Sequence, residues 1–142
     1  MEKQQLKELR RVAGELFSNT DVFLAYAHGS RIEGRALPGS DLDIGYYLQR
    51  DSGRDELPLA EEMRLAAKLS TKTGHEVDLR CLQHAPLELR GRALIRGKLV
   101  YCSDDLARAD FESFVLRFYH DHKELYERMH EERLSKFAGE SP

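Results

Sequence analysis

The sequence predicts an α+β fold: a small mixed β-sheet backed by helices, with a long helix at its C-terminal end. Three observations predict it. Apolar residues recur at three- and four-residue steps in some stretches and at two-residue steps in others. The stretches follow one another as helix, strand, loop, strand, helix, strand, helix, strand, helix. And 142 residues suit a single domain, 1–142, with a core of its own.

Leu6, Leu9, Ala13, Leu16 and Phe17 fall at helical spacing, so residues 3–18 read as an amphipathic helix that Asn19 and Asp21 break. Val22 to Ala27 is apolar on both faces, as an interior strand requires. His28 to Ser40 is rich in Gly, Ser and Arg and reads as a loop, with one short helical turn after Ser30. Asp41 to Leu48 resumes as a strand. It sets Leu42, Ile44, Tyr46 and Leu48 on one face, and Asp41, Asp43, Gly45 and Tyr47 on the other.

Pro58 suits the first turn of a helix running to Lys72 and closed by Gly74, with Leu59, Met63, Ala66, Ala67 and Leu69 inward. His75 to Leu82 alternates again, with Val77, Leu79 and Cys81 opposite Glu76, Asp78 and Arg80. Pro86 opens a short helix ending near Gly97, and Lys98 to Cys102 is a last strand. The central part of the domain is expected over about residues 20–102. From Asp104 to Phe137 the chain reads as one long helix with Asp104, Asp105 and Asp110 near its N-terminus, where the dipole favours them. Its stripe of Phe111, Phe114, Val115, Phe118, Leu125, Met129, Leu134 and Phe137 is read mostly as core, with its far end open to a partner helix. The tail from Gly139 to Pro142 is expected to fray.

Composition narrows the function. Hydrophobic residues make up 41%, and 22 basic against 25 acidic side chains give a net charge of −3. That balance argues against nucleic acid as the main partner. Cys81 and Cys102 have no CxxC spacing and read as small apolar residues in a reducing compartment. The charged N-terminus lacks an apolar signal-peptide region, and the longest apolar run, Val22 to Ala27, is far too short for a bilayer. The expectation is a soluble, cytoplasmic protein with no membrane role.

Three features carry chemistry. Gly29-Ser30 directly follows a buried strand: Gly29 permits a tight turn, and the next amides with the Ser30 hydroxyl can face phosphate oxygens. A simple turn explains the pair as well. Asp41 and Asp43, at i and i+2 on a strand, project from one face. Two such carboxylates can chelate two divalent ions that bridge a triphosphate, or they form a solvated strand end. Asp78, framed by Val77 and Leu79 on a nearby strand, can complete that metal site and accept a proton from an attacking hydroxyl. An ion pair with Arg80 accounts for it equally.

Taken together, Gly-Ser, ten residues, Asp-x-Asp and a later apolar-Asp-apolar strand closely resemble the DNA polymerase beta-like nucleotidyltransferase superfamily. Within it, HGSRIEGRALPGSDLDIGYYL (His28 to Leu48) resembles the minimal nucleotidyltransferase (MNT) family, specifically its MntA-type antitoxins. The resemblance implies a metal-dependent nucleotidyltransferase using ATP with Mg²⁺ or Mn²⁺. Gly29 and Ser30 would bind the nucleotide's triphosphate, and Asp41, Asp43 and Asp78 would be catalytic metal ligands. Arg31 matches a position common in the family's loop, where it would meet phosphate or form a surface salt bridge. A bulky apolar residue often stands before the Gly in such proteins. Here it is His28, read as packing or loop hydrogen bonding.

The resemblance further implies an antitoxin that neutralises a cognate HEPN-type toxin, an RNase, by moving AMP onto a tyrosine hydroxyl. Transfer to a small molecule such as an aminoglycoside is an alternative, although only the last helix is left to serve as a substrate domain. A non-catalytic subunit that neutralises its partner by binding is another. The partner expectation leaves room for a homo- or hetero-oligomer. Two remaining clusters are weaker. His120, His122 and His130 face different directions on their helix, and Arg90, Arg92, Arg96 and Lys98 suit nucleotide phosphates or a solvated helix face.

Overall fold

A computed structural model describes residues 1–137. Its elements run α1 (Lys3–Phe17), β1 (Val22–His28), α2 (Ser30–Glu33), β2 (Leu42–Leu48), a 3₁₀ turn (Arg50–Ser52), α3 (Leu59–Thr73), β3 (Val77–Cys81), α4 (Leu87–Arg96), β4 (Lys98–Cys102), α5 (Asp105–Asp121) and α6 (Lys123–Phe137). The sheet order is β3-β2-β1-β4. β1 pairs antiparallel with both β2 and β4, while β3 pairs parallel with β2 because α3 carries the chain back across the sheet. The α+β class with a mixed sheet is as expected.

β1 lies between β2 and β4, so both of its edges are paired, and both of its faces are packed. Val22, Ala25 and Ala27 join the larger core with Leu9, Val12, Ala13 and Phe17 of α1, Leu42, Ile44 and Tyr46 of β2, and Leu65 and Leu69 of α3. Leu24 and Tyr26 face the other way, onto Tyr47, Leu82 and Ala93, with Phe111 of α5 packed alongside. Tyr26 ties α5 to the sheet by donating its hydroxyl to Glu112 at 2.6 Å. Gly91 lets α4 lie against α5, since a Cβ there would sit 2.1 Å from the Tyr119 ring.

Two expectations about helices are corrected. On α3, Leu59, Met63 and Ala67 face outward, the first two 70% and 63% exposed. The inward face is instead Glu62, Leu65, Ala66 and Leu69, and the polar Glu62 concealed it. Buried Tyr46 donates its hydroxyl to Glu62 at 2.5 Å and accepts the Leu57 amide at 3.2 Å, which turns that side of α3 to the sheet.

The C-terminal helical stretch is present but divided at His122. That residue has φ −123° and ψ 12°, outside helical values. Its ring Nδ1 engages the Phe118 carbonyl at 3.2 Å, the acceptor an unbroken helix would offer to its amide. The amide bonds the Tyr119 carbonyl instead. The apolar stripe is also less buried than expected. Val115 is buried and Phe111 half-buried, whereas Phe114, Phe118, Leu125, Met129 and Leu134 are exposed. The Phe137 side chain and the tail beyond it lie outside the described residues. Asp104 caps α5, accepting the Leu106 and Ala107 amides at 3.1 Å. Among the described residues no helix is long and apolar enough to cross a membrane.

Candidate active site

Strand register builds the site. His28 is opposite Asp43 in the β1–β2 pair, and Asp43 is opposite Asp78 in the β2–β3 pair. Three polar side chains from three adjacent strands thus share one face. They line a cleft of about 270 Å³ with Arg80, Leu82 and, from α4, Leu89. Asp41 stands just before β2, exposed and outside the lining of the cleft, yet near enough for its charge to be felt at Asp43.

Gly29 sets how closely the chain passes this site. Its φ of 83° and ψ of −166° lie in a region that is essentially glycine's alone. A Cβ there would fall 2.3 Å from Asp43 Oδ2. The carboxylate therefore lies in a cradle that any side chain at 29 would fill. The Gly29 carbonyl accepts the Ile32 and Glu33 amides and starts the single turn of α2. The first amides of such a turn have no partner within it and are free to bond water or a ligand.

The electrostatics follow from crowding like charges in a half-buried place. Burial, then the Asp78 and Asp41 carboxylates, push the Asp43 carboxyl above its ordinary range, against a smaller pull from Arg80. Burial lowers the His28 imidazole, and the Glu33 and Asp78 carboxylates offset part of that shift. Asp78 does pair with Arg80, whose Nε donates to Oδ2 at 3.0 Å, but that arginine side chain is 77% exposed. An exposed pair of this kind is weak and easily exchanged.

This donor set suits a hard divalent cation: oxygen ligands, surplus negative charge and a carboxylate held above its normal range. Among the described residues no three acidic, His or Cys side chains are gathered closely enough to enclose an ion. Mg²⁺ is commonly held in this way, by one or two carboxylates completed by substrate phosphates and water. The residues therefore fit a metal that arrives with a nucleotide.

Arg31 lies to one side. Its Nε donates to the Ser40 carbonyl at 2.6 Å, so it braces the loop that delivers Asp41. It shares a separate hollow with Glu2, Gln5 and His75. The basic residues of α4 have structural partners that the sequence reading had not assigned. Arg90 lies over the Tyr47 and Phe111 rings, at 5.5 and 5.9 Å from their centroids. Arg92, a buried residue, donates to Glu33 at 2.9 Å, and Arg96 reaches the same carboxylate at 3.5 Å.

His28 was expected to pack or to hydrogen-bond within the loop, and Glu33 carried no expectation at all. His28 lines the cleft, and the signal was available: strand alternation puts it on the Asp43 side once the two strands pair. Glu33 gave no signal, because its main partner is 59 residues away.

A family model described as "Polymerase beta, Nucleotidyltransferase" matches residues 12–106. No curated protein sequence matches the chain significantly. Among solved structures, one described as a toxin-antitoxin with AMP-PNP superposes with TM-score 0.60 at 19% identity, covering 91% of this chain and 98% of the other. A mutant MntA-HpeT toxin-antitoxin gives 0.61 at 18% identity, with the same coverage. The tri-AMPylated Shewanella oneidensis HEPN toxin in complex with MNT antitoxin gives 0.59 at 18% identity, covering 94% and 99%. All three likenesses are likenesses of fold.

Proposed function

The chain belongs to the polymerase beta nucleotidyltransferase family, and from that premise we propose that it moves AMP from ATP to a tyrosine hydroxyl of a cognate HEPN-type toxin. One observation carries the reading: Asp43 and Asp78 stand opposite each other on adjacent strands, beside a glycine that only an uncluttered backbone satisfies. The toxin-antitoxin neighbours, one of them AMPylated, support the acceptor and the antitoxin role. So does the exposed ridge on α5 and α6, where Phe114 is 58% and Leu125 48% exposed, an apolar surface that a helical partner can cover. ATP and a newly made toxin would meet this protein in the cytoplasm.

The mechanism follows from the placement of each group. The Ser30 hydroxyl and the first amides of α2 bind triphosphate oxygens. Asp41, Asp43 and Asp78 would hold Mg²⁺ or Mn²⁺, which supplies charge neutralisation at the phosphates and eases loss of the acceptor's proton. Asp78, reached from solvent past the exposed Arg80, takes the proton as the acceptor oxygen attacks the α-phosphorus. Arg31 positions Asp41 through Ser40. The remaining work is alignment of the acceptor, which a docked protein supplies with its own surface.

Two measurements test this reading. ATP should raise the thermal midpoint only with Mg²⁺ or Mn²⁺ present, since a ligand that binds the native state stabilises it by mass action. Incubation of protein, partner, metal and ATP should add the mass of AMP to a partner tyrosine, and Asp78→Ala should add none. Neutralisation by a triple Asp→Asn variant without mass change would replace transfer with binding. AMP found on an aminoglycoside and never on protein would move the acceptor to small molecules.

A further inference from the structure

Glu33 is surrounded by more positive charge than it can neutralise. Arg92 donates to it at 2.9 Å, Arg35 at 3.4 Å and Arg96 at 3.5 Å. A second carboxylate on α4, Glu88, is already engaged by Arg133 of α6. Two carboxylates thus face four guanidinium groups in a protein whose net charge is −3. The excess is local and specific.

The surplus also lies beside the cleft. Glu33 closes the single turn that Ser30 opens, and the Arg35 amide bonds the Ser30 carbonyl at 2.8 Å. On α4, Leu89 lines the cleft, and Arg92 and Arg96 follow it at three and seven residues, on the same helical face. The Glu33 charge is felt at His28 inside the cleft.

The three arginines differ in what they can do. The Arg92 side chain is 9% exposed and has the shortest bond, so it anchors α4 to α2. Arg35 and Arg96 are 46% and 44% exposed and hold Glu33 at the limit of hydrogen-bond geometry. Exposed pairs of that length contribute little and can be given up to a stronger acceptor. A phosphate offers a guanidinium two parallel charge-assisted bonds.

We propose that Arg35 and Arg96 form a pyrophosphate subsite, which holds the β- and γ-phosphates of the nucleotide and the pyrophosphate it becomes. This rests on the nucleotidyl-transfer reading. In that reaction the bond from the α-phosphorus to the α,β-bridging oxygen breaks as the acceptor oxygen bonds the α-phosphorus. The electron pair leaves with pyrophosphate, and the acceptor's proton leaves to Asp78 or water. Two guanidinium groups at the departing end would meet the negative charge where it accumulates. Glu33 and Arg92 act as positioning residues: they keep both arginines near Ser30 and spare the empty site a bare cationic cluster.

The test is Arg35→Gln/Arg96→Gln, with binding of inorganic pyrophosphate and of AMP measured by calorimetry in Mg²⁺. Pyrophosphate affinity and the KM for ATP should each worsen roughly 10- to 100-fold, the scale of one charge-assisted bond in net terms, because both arginines are exposed to screening solvent. AMP affinity and the unliganded thermal midpoint should be unchanged, which a structural role would not allow. An Arg35→Lys/Arg96→Lys variant should recover part of the loss. Wild-type pyrophosphate affinity in the Gln variant would overturn the subsite, as would failure of the wild-type protein to bind pyrophosphate. If the wild-type protein binds pyrophosphate through these arginines yet transfers no nucleotide, the subsite stands and the transfer reading falls.

Discussion

Asp43→Asn is expected to reduce nucleotidyl transfer about a thousandfold, the scale of losing a preorganised charge-stabilising group, while raising the thermal midpoint of the metal-free protein. The two effects have one origin. Burial and the neighbouring carboxylates hold the Asp43 carboxyl above its ordinary range, so the folded state binds that proton more tightly than the unfolded chain does. Its contribution to stability is therefore complete below an ordinary aspartate pKa of about 3.9 and is lost as pH rises through the elevated folded value. At neutral pH the ionised Asp43 opposes folding, and Asn removes that opposition. Thermal melts in chelator from pH 4 to 8 should show the wild-type protein losing more stability than the variant across the carboxylate range. Mg-ATP should restore the wild-type protein far more than Asp43→Asn. A variant that melts lower at neutral pH would mean that Asp43 is held by its surroundings, not strained by them.

Gly29→Ala is the second large effect. The backbone conformation alone costs about 1–3 kcal/mol for a residue with a side chain, and the new Cβ would collide with the Asp43 carboxylate. Relief requires either the turn or the carboxylate to move. A displacement near 1 Å in a reacting constellation costs on the order of a hundredfold in rate, and transfer should fall by at least that much. Gly34→Ala separates the two causes. Gly34 also has positive φ, 77°, but a Cβ there would meet nothing within 4 Å. It should lose stability and keep most of its transfer rate. Equal loss of transfer in both would leave strain alone as the explanation and remove the need for close contact between Gly29 and Asp43.

Much of this was legible in the sequence because it depended on local rules. Strand periodicity placed Asp43 opposite the Leu42–Ile44 face, and Gly and Pro punctuation located α3, α4 and β4 to within a residue or two. What was not legible depended on partners distant in sequence. The phase of α3 was decided by a hydroxyl on β2 choosing Glu62, while Leu59 and Met63 supplied an equally regular but outward stripe. The break at His122 came from a side chain competing for a carbonyl within its own helix, which apolar spacing does not register. The α4 arginines read as one basic cluster, yet the fold gives Arg90 to aromatic rings and Arg92 and Arg96 to a carboxylate near Ser30. Of the candidate site, the pairing that puts Asp78 across from Asp43 depends on the crossover through α3, which the carboxylate motif by itself does not specify.

The central position of β1 has a consequence for how the protein must be made. Its inner neighbour β2 begins at Leu42, but its outer neighbour β4 begins only at Lys98. At a synthesis rate of about 5–20 residues per second, the outer edge of β1 waits on the order of seconds for the strand that covers it. Val22 to Ala27 carries neither charge nor proline to discourage a foreign strand. The nascent chain is thus most vulnerable to aggregation after Asp41, Asp43 and Asp78 have emerged and before β4 has. A fragment ending short of Lys98 should therefore form β-rich aggregates, with β4 acting as the chain's own edge guard.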